Sequence, residues 1–229
     1  MTRVAFLHTG AVVIAPVVDA ARAALPDATF VNYLDDRIVA DLGDAERAAS
    51  VADRLAHLAG AAREGGADVV MLTCSSISGY AAPTAERAGI PVLRIDEAMA
   101  DRAVATGERI AVIATLPTTL APTVALLRER AAIAGVEPTI LDEVVDGAFV
   151  AVSEGDRPQH DALVAAAIER LAAHADVVVL AQASMASAAE SARVTVPVLT
   201  SIAPGVARLA ELLANDDPDT RTATPEDAR

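Results

Sequence analysis

Asp68-Val69-Val70-Met71-Leu72-Thr73-Cys74-Ser75-Ser76 is an acid, four unbroken apolar residues and then a run of small polar ones. Apolar residues without alternation read as a strand covered on both faces, the habit of parallel sheets built from right-handed βαβ units. Asp176-Val177-Val178-Val179-Leu180-Ala181-Gln182-Ala183-Ser184 has the same form at a shift of 108 (176 − 68). Outward from these two stretches, β-branched runs near 3–8, 28–33, 68–73 and 91–94 alternate with Ala/Arg/Glu-rich segments of helical period. The series begins again near 109–114, 138–142, 176–181 and 197–200. This alternation predicts an α/β fold with parallel sheets.

The repeat reaches both ends of each series. Arg3-Val4-Ala5-Phe6-Leu7 aligns with Arg109-Ile110-Ala111-Val112-Ile113 at a shift of 106 (109 − 3), which also pairs Thr9 with Thr115, Pro16 with Pro122 and Arg22 with Arg128. Pro91-Val92-Leu93 meets Pro197-Val198-Leu199 at 106 again. One such pair is what chance gives between alanine-rich βα segments; three in the same order predict two half-domains on one plan, residues 1–100 and 101–202. Ligands of open parallel sheets bind beyond the carboxyl ends of the strands, so two sheets facing each other place matching loops on opposite walls of one cleft.

Composition narrows the chemistry. The 229 residues are 53% hydrophobic, with a formal net charge of −14, which disfavours nucleic acid or an anionic membrane as a partner. Apolar runs are interrupted well before the roughly 20 residues of a membrane span, and no secretory leader is expected, so the expected location is the cytoplasm. A single cysteine excludes an internal disulfide framework and multi-cysteine zinc sites. All 18 basic residues are arginine; without lysine there is no Schiff base to pyridoxal phosphate, no aldolase amine and no Walker A loop. His8, His57, His160 and His174 show no spacing that sets two ligands on one helix face, so no metal is expected.

The candidate residues sit where strands end. Cys74 falls at a strand-to-helix junction, where N–H groups and the helix dipole favour a thiolate and a bound carboxylate alike. Its other reading is a small buried apolar residue. Three hydroxyl neighbours, Thr73, Ser75 and Ser76, would each need a buried partner in a plain core, whereas one substrate carboxylate would satisfy them together. Thr115, Thr118 and Thr119 surround Pro117 and read either as carboxylate ligands or as helix caps. His8 ends the first strand and is expected to point at the cleft; Asp35 and Asp36 are second-rank acids. His160-Asp161 after Gly155-Asp156-Arg157-Pro158 reads as a helix start. Val124, Leu127 and Ala131 form an apolar helix face fit for a core or a subunit seam.

Leu72-Thr73-Cys74-Ser75-Ser76, Leu180-Ala181-Gln182-Ala183-Ser184-Met185, Ala114-Thr115-Leu116-Pro117-Thr118-Thr119 and Asn32-Tyr33-Leu34-Asp35-Asp36 together resemble the aspartate/glutamate/hydantoin racemase superfamily, to which maleate isomerase and arylmalonate decarboxylase are related. The resemblance covers nearly the whole chain. It implies two pseudo-symmetric flavodoxin-like halves, a cleft between them, a small amino, hydroxy or dicarboxylic acid as substrate, no cofactor, and a homo-oligomer. It also implies that a helix over 203–214 packs back on the first half; residues 215–229, nearly devoid of apolar side chains, are expected to be a disordered tail.

In the better-known racemases of this family each half supplies a cysteine, and here the pattern departs. The shift of 108 sets Gln182, not a second cysteine, opposite Cys74. Glutamine has no titratable proton, so two-base racemisation is in doubt. Racemisation with a substitute such as His8 or water, isomerisation through a cysteine adduct, decarboxylation with one-sided protonation, and plain binding of a small acid stay open. In each catalytic case Cys74 is the expected acid/base and Gln182 orients the substrate. Thr9, Thr73, Ser75, Ser76, Thr115, Thr118, Thr119, Ala183 and Ser184 are expected to hold the carboxylate and its developing charge.

Overall fold

The computed structural model describes residues 1–216. The first half runs β1 (Arg3–His8), α1 (Ile14–Ala24), β2 (Thr29–Leu34), α2 (Ile38–Leu42), α3 (Ala45–Ala48), α4 (Val51–Glu64), β3 (Val69–Leu72), α5 (Ala81–Ala88) and β4 (Val92–Arg94). The second runs α6 (Glu97–Thr106), β5 (Arg109–Ala114), α7 (Pro117–Ala134), β6 (Thr139–Val144), α8 (Ala148–Ser153), α9 (Arg157–Ala172), β7 (Val177–Leu180), α10 (Ala186–Ser191) and β8 (Val198–Leu199), and α11 (Ile202–Asp216) closes the described chain. Short 3-10 turns at Ala11–Val13, Ser75–Tyr80 and Ala183–Met185 follow β1, β3 and β7. No helix among the described residues is long and apolar enough to cross a membrane.

The strands form two four-stranded sheets, ordered β2-β1-β3-β4 and β6-β5-β7-β8, with every neighbour parallel. Ladder registers agree between the sheets: Val4 faces Val69 where Ile110 faces Val177, and Arg3 faces Thr29 where Arg109 faces Thr139. The second strands are therefore related by a shift of 110 (139 − 29), not 106, because α7 is longer than α1 and the crossover grows with it. Asp68 and Asp176 explain why an acid precedes each central apolar run. Asp68 Oδ2 accepts the Arg3 N–H at 2.7 Å, and Asp176 Oδ2 accepts the Arg109 N–H at 2.9 Å, fastening neighbouring strand starts.

Both faces of each sheet are covered, which is why the runs do not alternate. Ala5, Leu7, Val70 and Leu72 pack under α4 and α5, while Val4, Phe6, Val69 and Met71 pack under α1 and α11. In the second half Ala111, Ile113, Val178 and Leu180 face α8, α9 and α10, and Ile110, Val112, Val177 and Val179 face α6 and α7. Burial of this kind contributes about 1.5–3 kcal/mol for each large apolar side chain. That is what holds helices as short as α8 and α10, which would not persist alone.

Two expectations are revised here, and one that was open between two readings is decided. Met99, Ala100 and Ala103 of α6 pack with the second sheet, so a boundary at residue 100 would cut a helix whose apolar face belongs wholly to that half. Val124 and Leu127 are buried in the same cluster, and Ala131 is buried as well, so this face is core. The tail expected from residue 215 begins two residues inside α11, and its remainder, 217–229, lies outside the described residues. Val206 and Leu209 of α11 are buried against Val4, Phe6 and Val17, so the last helix packs on the first half.

Candidate active site

Parallel sheets leave their strand exits on one edge, and here the exits of both sheets line a single cleft of about 550 Å³. Three pairs of loops build it, each pair related by the shift of the strands that precede it. After β1 and β5 come Gly10, Val12 and Val13, and 106 positions on, Leu116, Thr118 and Thr119. After β3 and β7 come Thr73, Cys74, Ser75 and Ser76, and 108 on, Ala181, Gln182, Ala183 and Ser184. After β2 and β6 come Val39 and, 110 on, Phe149.

Cys74 and Gln182 share one local structure. Both are extended, with φ −132° and ψ 127° for Cys74 and φ −127° and ψ 137° for Gln182, and each opens a 3-10 turn. The first N–H groups of such turns have no acceptor within the turn and lie beside the strand exit. Cys74 is a free, half-buried thiol on the cleft wall.

The polar side chains around it are fixed in a way that defines what each can offer. Gln182 Oε1 accepts from the Thr115 N–H at 2.6 Å and from Thr115 Oγ1 at 3.0 Å. A backbone N–H can only donate, so this oxygen assignment is forced, and the Nε2 donors are the part of Gln182 left for a ligand. Ser76 Oγ lies 3.0 Å from Thr119 Oγ1, joining the two halves at the cleft. Only one of the two hydroxyl protons can lie between those oxygens, so the other is free to donate elsewhere. Ser78 Oγ donates to the buried Asp96 at 2.6 Å, holding the turn that follows Cys74.

Most expected site residues meet at this cleft: Cys74, Gln182, Thr9, Thr73, Ser75, Ser76, Thr118, Thr119, Ala183 and Ser184 all line it. Two do not. His8 is 1% exposed, with Nδ1 at 2.8 Å from Thr73 Oγ1 and Nε2 at 2.9 Å from Asn32 Oδ1. The last residue of a strand alternates in facing, and His8 turns into the protein behind Thr73 instead of toward the cleft. Burial pushes its pKa below the ordinary value near 6.5, against a smaller opposing effect of Asn32, which makes it a neutral packing group. Thr115 is 4% exposed and spends both its N–H and its hydroxyl on Gln182.

None of the three threonines caps α7, whose N-cap is Leu116 with Pro117 at the first position and no side-chain cap. Asp156 caps α9 by accepting the Gln159 N–H, while Asp161 takes Ser187 Oγ and His160 Nδ1. Asp35 is engaged by Arg54 Nε at 2.8 Å, leaving Asp36 exposed on the cleft rim. Among the described residues Asp36 is the one carboxylate lining the cleft, and no arginine lines it. No cluster of three or more His, Cys, Asp or Glu able to hold a metal occurs among the described residues.

Sequence reasoning missed the apolar lining: Val12, Val13, Val39, Phe149 and Val152. A Val or Phe on a short helix reads as core from periodicity alone. The signal that finds them is the repeat itself, carried through the second strands at 110, since Phe149 stands where Val39 stands.

Comparison with known proteins agrees with this geometry. The family model for Asp/Glu/hydantoin racemase matches residues 7–209. No curated protein gives a match to the chain. Among solved structures, a glutamate racemase isoform from Bacillus anthracis is similar at a TM-score of 0.74 and 16% identity, covering 94% of this chain and 83% of that one. Allantoin racemase from Klebsiella pneumoniae is similar at 0.64 and 22%, covering 94% and 88%. Arylmalonate decarboxylase is similar at 0.54 and 20%, covering 91% and 92%. With the family model spanning both sheets and the cleft between them, the chain belongs to the Asp/Glu/hydantoin racemase family.

Proposed function

We propose that the protein is an enzyme that moves a proton on one face of a carbon next to a carboxylate, using only its own side chains, with Cys74 as the acid/base. The observation that carries this reading is the chemical inequality of the two cleft walls: a thiol on one, and on the other a glutamine whose oxygen is tied back by Thr115. The substrate carboxylate lies among the Ser75, Ser76, Ala183 and Ser184 N–H groups and the Thr118 and Thr119 hydroxyls. The Cys74 thiolate takes the α-proton, the C–H pair moves onto the carboxylate, and the enediolate is stabilised by those donors and by Gln182 Nε2. The thiol then returns its proton to the same face.

The same wall asymmetry favours a second outcome on malonic acids. There the C–C bond to one carboxylate breaks, its electron pair stays on carbon as the enediolate, carbon dioxide leaves, and the Cys74 thiol protonates the carbon. Racemisation needs a second acid on the opposite face, which Gln182 does not supply. The chain is similar in fold both to allantoin racemase and to arylmalonate decarboxylase, and this likeness does not choose between the two outcomes.

The test is α-proton exchange in D₂O, followed by proton NMR over a panel of amino, hydroxy, aryl-substituted and malonic acids. Loss of exchange in Cys74→Ala with an unchanged circular dichroism spectrum is expected. Undiminished exchange in that variant would overturn the reading, and binding without exchange in the native protein would identify an acid-binding protein instead.

A further inference from the structure

The two lips of the cleft, the segments that leave β2 and β6, are held by different physics. Asp36, Val39 and Ala40 of the first lip line the cleft, as do Phe149, Val152 and Ser153 of the second. The second is fixed by core contacts, with Val145, Ala148 and Ala151 buried. In the first, from Asp35 to Leu42, Ile38 is the one buried apolar residue. The rest of its hold is ionic. Arg54 of α4 donates Nε to Asp35 Oδ2 at 2.8 Å and Nη2 to Asp35 Oδ1, a two-pronged grip on the β2 exit, and donates Nη1 to Asp41 Oδ2 in α2. The Asp41 side chain is 7% exposed, and the hydrogen bond from Arg54 holds its carboxyl below the ordinary value.

The repeat shows that this grip belongs to one half alone. The shift of 110 that relates β2 to β6 sets Val145 where Asp35 stands (145 − 35) and Ala151 where Asp41 stands (151 − 41). The shift of 108 that relates β3 to β7 sets Ala162 where Arg54 stands (162 − 54). All three ionic partners are replaced together, each by an apolar residue. A lip packed into a core is not released by one side chain, whereas the ionic lip is. Asp35 and Asp41 carry the same charge and meet at one guanidinium, so without it they repel and Asp41 is left buried and without that partner. α2 and α3, of five and four residues, are too short to keep their shape alone. Resting on the reading that a small acid enters this cleft to meet Cys74, we infer that Arg54 is a positioning residue, which sets the mouth of the cleft by tying Asp35 and Asp41 together beneath the lip that carries Asp36 and Val39. It acts on access and retention and touches no reacting atom.

Cys74 is the only cysteine, so its alkylation reads access to the cleft without any need for turnover. The probes are N-ethylmaleimide and the bulkier N-(1-pyrenyl)maleimide; both are neutral and attack through the same ring, so the ratio of their rates cancels changes in thiol reactivity. Arg54→Gln is expected to raise the bulky-to-small ratio by about fivefold, and Arg54→Lys, which keeps the charge but not the two-pronged grip, by less. Asp35→Asn leaves Arg54 paired with Asp41, is expected to raise the ratio about twofold, and carries the test if Arg54→Gln fails to fold. Arg170→Gln, which breaks the exposed pair with Glu143 on the other half, is expected to leave it unchanged. In the D₂O assay the fastest-exchanging acid of the panel is expected to show a raised KM and an unchanged kcat in Arg54→Lys. A ratio that stays native in every folded variant overturns the inference, as does an equal rise in Arg170→Gln or a fall in kcat at constant KM. An unmoved ratio with exchange that depends on Cys74 would remove Arg54 and leave proton transfer standing. A ratio that moves as expected, with no exchange of any acid, would do the reverse.

Discussion

Gln182 Oε1 is held by two hydrogen bonds from a single residue, the N–H and the hydroxyl of Thr115, which lies behind the cleft wall. This fixes the amide so that the side chain standing in the second half where Cys74 stands in the first is a donor and cannot be a base. Thr115→Val removes the hydroxyl and keeps the N–H, so it loosens Gln182 without freeing it. A loss of about 1 kcal/mol, roughly fivefold in kcat/KM, is expected. In a Gln182→Leu background the same substitution has nothing to hold, and the effect should vanish. Full additivity of the two substitutions would show that Thr115 acts by another route.

Ser76 and Thr119 share one hydrogen bond across the two halves. If their spare proton meets the developing enediolate, Ser76→Ala lowers kcat by about a hundredfold with KM little changed. The same variant loses only about 1 kcal/mol of stability in urea unfolding, as for an ordinary hydrogen bond. A rise in KM at constant kcat would place this pair in ground-state binding instead.

His8 gives a pH signature in stability, separate from the chemistry. Its pKa is lower in the folded protein than the ordinary value near 6.5, so the unfolded chain binds more protons just below that pH. Stability therefore rises with pH up to about 6.5 and is lost on acidification from there. The carboxyls of Asp41, Glu143 and Asp176, each lowered by an arginine partner, act in the same sense only at more acid pH. Between pH 5 and 7, thermal melts of His8→Gln are expected to show a flatter dependence than the native protein. An equal slope in both would remove His8 from the account.

Gly205 in α11 tests how the last helix closes the first half. A Cβ there would lie 2.2 Å from the Ile95 carbonyl oxygen and 2.8 Å from its Cγ1. Backbone cannot yield as a flexible side chain does, so Gly205→Ala is expected to destabilise by about 1–3 kcal/mol despite alanine's better helix propensity. A neutral or stabilising effect in denaturant unfolding would mean that α11 does not pack closely on the β4 exit.

Much of this was legible because the repeat carries both fold and site. The unbroken run Val177–Leu180 and its partner Val69–Leu72 read as central strands, and the shift between them sets Gln182 against Cys74. Distance and facing were not legible. Sequence cannot tell that His8 turns inward onto Asn32 or that Thr115 spends its hydroxyl on Gln182, since both depend on which way a strand's last residues rotate. Nor does periodicity separate Phe149, half-open at the cleft, from the buried Ala148 and Ala151 beside it.

The central claim is that the cleft is chemically one-sided, and the fate of deuterium at a stereogenic α-carbon tests it most directly. A single enantiomer of a 2-aryl carboxylic acid is incubated with the protein in D₂O, recovered, and measured for both deuterium content and enantiomer ratio. Deuterium entering with the configuration retained, and neither process in Cys74→Ala, is the predicted result. Deuterium entering at the same rate as inversion would contradict it, because a second acid would then have to stand where Gln182 does.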